Sequence, residues 1–462
     1  MSHEHEMRGI TRRQVLKGAL AAGGAICAAR PWAVAYGEQA AAAPSPRRPN
    51  FIVILCDDLG YGDLACFGHP AIKTPNLDRL AADGMRLTEC YSAAPVCSPS
   101  RAGLLTGRCP IREGIADWIP NNSPIHLKKE AVTVARLLKS AGYATCLAGK
   151  WHLSGKMDGS QPTPGDHGFD HWMATQNNAA PSHRNPTNFV RNGEKVGPLE
   201  GYSSTLIVDE ALRWLKGRQE DQPFFLFLTF HTSHEPVATA DEFTRMYPDV
   251  DHPNRAIYYG NVTQMDHEVG RLLKALDEMA LARGTLIFFT SDNGPEILNR
   301  YKGAERSYGS PGPLRGMKLY VYEGGIRVPG ILRWAGRLRG GQTSDEPVSG
   351  VDVLPTLCAL AGTKPPEDRP IDGASVVPLL LDGNPVARKA PLYWDYPKAL
   401  GGRQVALRDG PWKMLAAPPF DKLELYNLRS DASEKSEIGS SEPARVKAMA
   451  ETLRRVHKEV RA

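Results

Sequence analysis

Four uncharged apolar runs punctuate the chain, and each ends abruptly in polar residues. "FIVIL" (51–55) runs into Cys56, Asp57 and Asp58, and "ATCLA" (144–148) into Gly149, Lys150, Trp151 and His152. "FFLFLTF" (224–230) runs into His231, Thr232, Ser233 and His234, and "TLIFFT" (285–290) into Ser291, Asp292, Asn293 and Gly294. Continuous rather than alternating hydrophobicity marks strands buried on both faces. Between the runs, residues 74–84, 133–142, 202–217 and 264–279 read as helices; the first opens on Thr-Pro and closes on Gly84, and the second closes on Gly142. The alternation predicts an α/β fold, with a large, mostly parallel sheet sandwiched by helices and extending to about residue 385. Beyond it, 403–415 reads as antiparallel strands and 444–460 as a terminal helix. Residues 386–462 are therefore expected to form a smaller C-terminal region that closes one side of a pocket.

The first 35 residues stand apart from this pattern. "TRRQVLKG" (11–18) places twin arginines ahead of a weakly apolar run, and "AVA" (33–35) follows as a small-x-small cleavage site. This order predicts a twin-arginine export signal, and with it the twin-arginine translocase as a partner and a periplasmic or extracellular destination. Cys27 does not make a lipoprotein box, because Ile26 stands where a small residue is needed. The domain reading is 1–35 signal, 36–48 flexible linker, 49–385 catalytic domain and 386–462 C-terminal subdomain. No stretch approaches the ~20 apolar residues of a membrane span, so the mature chain is expected to be soluble. Loss of the signal removes a net +3 from the chain's +5. The remaining charge is too near neutral to argue for nucleic acid. At 462 residues, with 42% hydrophobic and 23% charged, the chain has room for two domains or one large domain with an appendage.

In an open α/β sheet, ligands bind just past the carboxyl ends of the strands. An Asp there is often only a cap or turn residue, and a lone His only a satisfied structural group. Four polar clusters at the same end of four strands point instead to one site. Asp57, Asp58, Asp292 and Asn293 offer oxygen ligands alone, which suits a hard cation such as Ca²⁺ or Mg²⁺. Lys150, Lys318, Arg101 and the histidines add positive charge and proton carriers, so the site suits an anionic ester. Seven cysteines remain after Cys27; Cys56 and Cys146 sit in apolar runs as buried thiols, and spacing does not reveal pairing. Cys97 belongs to no CxxC pair and has no partner at zinc-site spacing.

"CSPSR" (97–101), followed by "AGLLTGR", resembles the signature of the type I sulfatases of the alkaline phosphatase superfamily. "DDLGYGDL" (57–64), "TPNLDRLAADGMRLT" (74–88), "GKWHL" (149–153), "HGFD" (167–170), "SDNG" (291–294), "YEGGIRVP" (322–329), "DVLPTLCALAG" (352–362) and "ELYNLRSD" (424–431) resemble sulfatase segments in family order. The resemblance implies that a formylglycine-generating enzyme oxidises Cys97 to Cα-formylglycine, in the cytoplasm before folding and export. It implies one Ca²⁺, with Mg²⁺ as the alternative, held by Asp57, Asp58, Asp292, Asn293 and the modified Cys97. Arg101 would hold the aldehyde hydrate, Lys150 and Lys318 the sulfate oxygens. His152 would take a proton from the hydrate, and His234 would protonate the leaving alcohol. His234 rather than His231 is matched through its "HxP" context, although Ser233 stands where the family has Pro.

By the same resemblance the enzyme is a sulfuric ester hydrolase of the N-acetylgalactosamine-sulfatase and arylsulfatase A type. It would act at the ends of sulfated galactose or N-acetylgalactosamine saccharides. The stretches 107–127 and 177–189 depart from the shared core and are expected to line the pocket. A phosphonate or phosphodiester hydrolase on the same scaffold is the alternative function. Lysines where two-metal phosphatases carry further ligands argue against it. A non-catalytic sugar-binding relative is the more remote alternative, since every family position is filled.

Overall fold

The apolar run at 50–57 is continuous because its two faces are covered separately. In the computed structural model, which describes residues 48–462, this run is strand β1 (Asn50–Asp57). Its Phe51, Val53 and Leu55 pack with the helices Cys97–Thr106, Val134–Ser140 and Val353–Ala361. Its Ile52, Ile54 and Cys56 pack on the other face with the helices Pro75–Ala82, Ser203–Gly217 and Pro253–Glu278. Period-2 alternation thus persists in the strand, with an apolar layer on both sides. The twin-arginine segment (1–35) and the linker up to residue 47 lie outside the described residues.

Ten further strands complete the large sheet: β2 (Met85–Tyr91), β3 (Ala144–Lys150), β4 (His171–Thr175), β5 (Val190–Arg191), β6 (Glu194–Lys195), β7 (Phe224–Ser233), β8 (Thr285–Ser291), β9 (Arg327–Trp334), β10 (Gln342–Ser344) and β11 (Val348–Ser349). They run in the order β10-β2-β9-β8-β1-β7-β3-β4-β5-β6, with β11 on β2. β8, β1, β7, β3 and β4 run parallel to one another; β9 is antiparallel to both β8 and β2, and β5 and β6 close the far edge antiparallel. The helix read at 264–279 begins earlier, at Pro253.

The C-terminal strands β12 (Leu392–Asp395), β13 (Val405–Asp409), β14 (Trp412–Ala416) and β15 (Leu423–Asn427) form a separate antiparallel sheet in that order. Its two faces also divide by alternation. Trp394, Ala406 and Leu415 pack toward Tyr91, Val96, Cys97 and Tyr322 of the large domain. Val405, Leu407 and Met414 pack on the terminal helix Pro443–Arg461 through Leu453 and Val456. The small sheet thereby lies directly behind residue 97.

Candidate active site

The four polar strand ends come together because β8, β1, β7 and β3 are consecutive in the sheet. Cys56 pairs in register with Ser291, and Asp57 with Ser233. Asp57, Asp58, Asp292 and Asn293 are all buried. Asp58 (φ 61°) and His152 (φ 56°) occupy the left-handed region, an uncommon conformation for side-chain-bearing residues that clusters at functional sites. Gly149 (φ 118°) lets β3 turn into the site, where an added Cβ would lie 1.8 Å from the Thr229 carbonyl oxygen.

Cys97 opens the helix Cys97–Thr106, and Arg101 lies one turn along it. Arg101 donates from Nε (2.9 Å) and Nη2 (2.7 Å) to Asp292 Oδ2, and from Nη1 to the Lys150 carbonyl (2.8 Å). Lys150 Nζ pairs with Asp57 Oδ2 at 2.6 Å, and Lys318 Nζ with Asp58 Oδ2 at 2.7 Å. Burial alone would raise the Asp57 carboxyl, but Lys150, His234, Arg101 and Lys318 hold it well below the usual carboxylate range. Burial and the neighbouring Asp57 carboxylate push Asp292 the other way, to about 7, against Arg101. Burial also raises the Cys97 thiol to about 11, despite Lys150 and Lys318 nearby. It therefore stays a thiol at neutral pH, which disfavours direct thiolate chemistry.

The two histidines are in different states to act. His152 Nε2 lies 3.0 Å from the Ile119 carbonyl oxygen, which can only accept, so Nε2 carries the proton. Nδ1 is left without a partner. Burial, Lys150 and Arg101 hold the ring's pKa well below the usual range, so it is a neutral base. The Ile119 loop is fixed in turn by its N–H donating to Ser98 Oγ (3.0 Å). His234 donates through Nδ1 to the Glu235 carbonyl, leaving Nε2 3.5 Å from Asp58 Oδ2. That approach calls for a proton on Nε2 or a cation alongside it. His231 is wholly buried against Thr175 Oγ1 (2.8 Å) and does not line the cavity.

A hard cation fits this donor set. Asp57, Asp58 and His234 present ligand atoms within 4.8 Å of one another. Asp57 Oδ1 and Asn293 Oδ1 are buried with no hydrogen-bond partner. Orphaned buried oxygens beside crowded carboxylates are what such an ion satisfies.

Cys97, His152, His234 and Lys318 line one cavity of about 540 Å³. Its wall includes Asp117, Trp118 and Asn177, from the two stretches that depart from the shared core, and Tyr396 and Lys398 from the chain after β12. Five polar or aromatic lining residues escaped the sequence reading: Glu296, Arg300, Tyr301, Tyr396 and Lys398. Glu296 could have been flagged, because it follows "SDNG" in the same strand-end loop. Tyr396 and Lys398 carry no local signal; the small sheet delivers them. Among the described residues all seven cysteines are free.

The Sulfatase family matches residues 49–363, and the C-terminal region of the N-sulphoglucosamine sulphohydrolases matches 317–461. Rat N-acetylgalactosamine-6-sulfatase is 37% identical over 386 residues, spanning 77% of this chain and 69% of the relative. Human arylsulfatase A is 35% identical over 396 residues, spanning 79% and 74%. The crystal structure of Ps i-CgsB in complex with k-i-k-neocarrahexaose superposes with a TM-score of 0.79 at 30% identity, covering 90% of this chain and 93% of that one.

Proposed function

This chain belongs to the sulfatase family and is a sulfuric ester hydrolase; from that premise we propose that it removes sulfate from the ends of sulfated galactose or N-acetylgalactosamine saccharides, with residue 97 converted to formylglycine. The observation that carries the reading is the surroundings of Cys97. It heads a helix, shares a cavity with His152, His234 and Lys318, and feels the charges of Lys150, Asp57 and Asp292. The saccharide class draws on the N-acetylgalactosamine-6-sulfatase relative and on the structural neighbour bound to a neocarrahexaose.

Hydrated formylglycine supplies an attacking oxygen and a second hydroxyl whose deprotonation releases the sulfate. A hard cation held by Asp57, Asp58, Asp292, Asn293 and residue 97 supplies charge that polarises the reacting oxygens; Ca²⁺ suits the set and Mg²⁺ is the alternative. The chain's own side chains do the rest. Lys150 and Lys318 bind the oxygens of the transferring group, where buried positive charge counts most. Arg101 locks Asp292 and the end of β3 in position. His152, neutral and with Nδ1 free, accepts a proton beside residue 97. His234, whose Nδ1 proton is held by the Glu235 carbonyl, would act in its doubly protonated form, giving the Nε2 proton to the leaving sugar oxygen.

The twin-arginine segment supports export after the formylglycine-generating enzyme has acted, and no helix among the described residues is long and apolar enough to cross a membrane. The boundaries 49–385 and 386–462 stand as the proposed catalytic and C-terminal parts. A panel of defined sulfated mono- and disaccharides, with free sulfate as the readout, tests the function. Release from galactose or N-acetylgalactosamine sulfates is expected. Cleavage of small aryl sulfates alone, with every sugar intact, would reject the saccharide assignment.

A further inference from the structure

Six large hydrophobic side chains among the described residues are conspicuously exposed, and only two are aromatic: Trp118 at 44% and Tyr301 at 38%. Both line the active-site cavity. They come from separate loops: Tyr301 stands beside Arg300, which Glu296 fixes from behind, and Trp118 follows Asp117, which pairs with Lys398. Arg300 makes a bidentate pair with Glu296, Nε to Oε1 and Nη2 to Oε2, both at 2.7 Å. Its guanidinium lies 5.0 Å from the Tyr301 ring centroid. Glu296 is buried and also reaches Lys318 Nζ at 3.5 Å, linking the cation at the rim to the cation deeper in. On the other loop, Asp117 Oδ1 accepts from the Trp118 N–H (2.8 Å) and the Tyr396 hydroxyl (3.0 Å). Asp117 Oδ2 pairs with Lys398 Nζ at 2.7 Å.

One sulfate ester does not account for this rim. Lys150 and Lys318 lie deeper, beside residue 97, and serve the scissile group. Neither contact between Arg300 and Glu296 uses Nη1, so a fork of donors remains for a ligand. An exposed ion pair contributes little to stability. Glu296, however, is buried and paired with both Arg300 and Lys318, so it fixes the Arg300 guanidinium at the rim. We infer that the rim is a subsite for a saccharide bearing a second anionic group, sulfate or carboxylate, with Arg300 as its principal ligand, Lys398 adding positive field, and Trp118 and Tyr301 flanking the sugar. This rests on the sulfatase reading above and narrows its substrate to polyanionic saccharides.

Three disaccharides test it: one with a single terminal sulfate, the same with a second sulfate, and the same with a uronate. The protein is expected to favour one or both doubly charged substrates by roughly tenfold or more in kcat/KM, as one charge-assisted contact provides. Which one it favours tells sulfate from carboxylate. The preference should shrink as salt rises. Arg300→Met should remove most of it through KM, with Lys398→Met giving a smaller loss. Equal kcat/KM for singly and doubly charged substrates, or the same fractional loss on both in Arg300→Met, would overturn the subsite. Failure to turn over any sulfate ester, a small aryl sulfate included, would strike the sulfatase reading instead. Calorimetric affinities of Cys97→Ala protein for the same disaccharides would then decide the subsite on their own: tighter binding of a doubly charged sugar upholds it, and equal binding refutes it.

Discussion

Arg101 and Cys97 share one helix turn, yet their loss should have opposite consequences. Arg101 is wholly buried and satisfies both Asp292 and the Lys150 carbonyl. Arg101→Met leaves a carboxylate uncompensated in the interior, a cost of about 3–5 kcal/mol. Thermal unfolding should therefore show a clear fall in Tm. Cys97→Ala removes only a small buried side chain, so Tm should hold within a few degrees while turnover vanishes. A Cys97→Ala protein with residual turnover, or an Arg101→Met protein as stable as the parent, would contradict these roles. At this scale the sequence was informative wherever chemistry ends an apolar run, as at Asp57, Lys150, His234 and Asp292. Lys398 was hidden because its partner, Asp117, lies elsewhere in the chain.

Among the elements, β3 depends most on one backbone position. Gly149 adopts φ 118° and its α-carbon abuts the Thr229 carbonyl of β7. No side chain fits there without parting the two strands. Gly149→Ala should cost several kcal/mol, on the scale of other large strain and overpacking effects, and shift Lys150. Reduced soluble yield or Tm, together with a collapse of kcat, is the expected outcome; an unperturbed Tm would show that the strands part freely. The central parallel strands were legible because both their faces are apolar. β9 was not read as a strand, since Pro329 and Gly330 interrupt "RVPGILRW", and Gly330 is required where an added Cβ would meet Cys90 at 2.5 Å. The first turns of Pro253–Glu278 were missed because their buried face mixes Gly260, Asn261 and Thr263 with Tyr258 and Val262, which blurs the apolar period.

Across the whole molecule, the two sheets are joined by a buried ionic cluster. Lys413 of β14 lies 2.9 Å from both Glu323 Oε1 and Glu434 Oε1, and Tyr91 donates to Glu323 Oε2 (2.6 Å). Burial, then the Glu323 charge, raises Glu434 to about 7 against the pull of Lys413. The folded state therefore holds this proton more tightly than the unfolded chain. The resulting stability is complete below the ordinary glutamate range and is lost as pH rises through about 7. Tm should decline between about pH 5 and 8, and Glu434→Gln should flatten that decline; parallel curves for the two proteins would assign the slope to other groups. No sequence pattern pairs residues 323, 413 and 434, because the contact exists only once the small sheet docks behind residue 97. Turnover depends on the chemical form of that residue, and peptide mapping of active enzyme tests it most directly. After alkylation and trypsin digestion, the peptide spanning 87–101 should carry one alkylated cysteine, Cys90, and an aldehyde at residue 97 that reacts with a hydrazide. Two alkylated cysteines in a fully active preparation would contradict it.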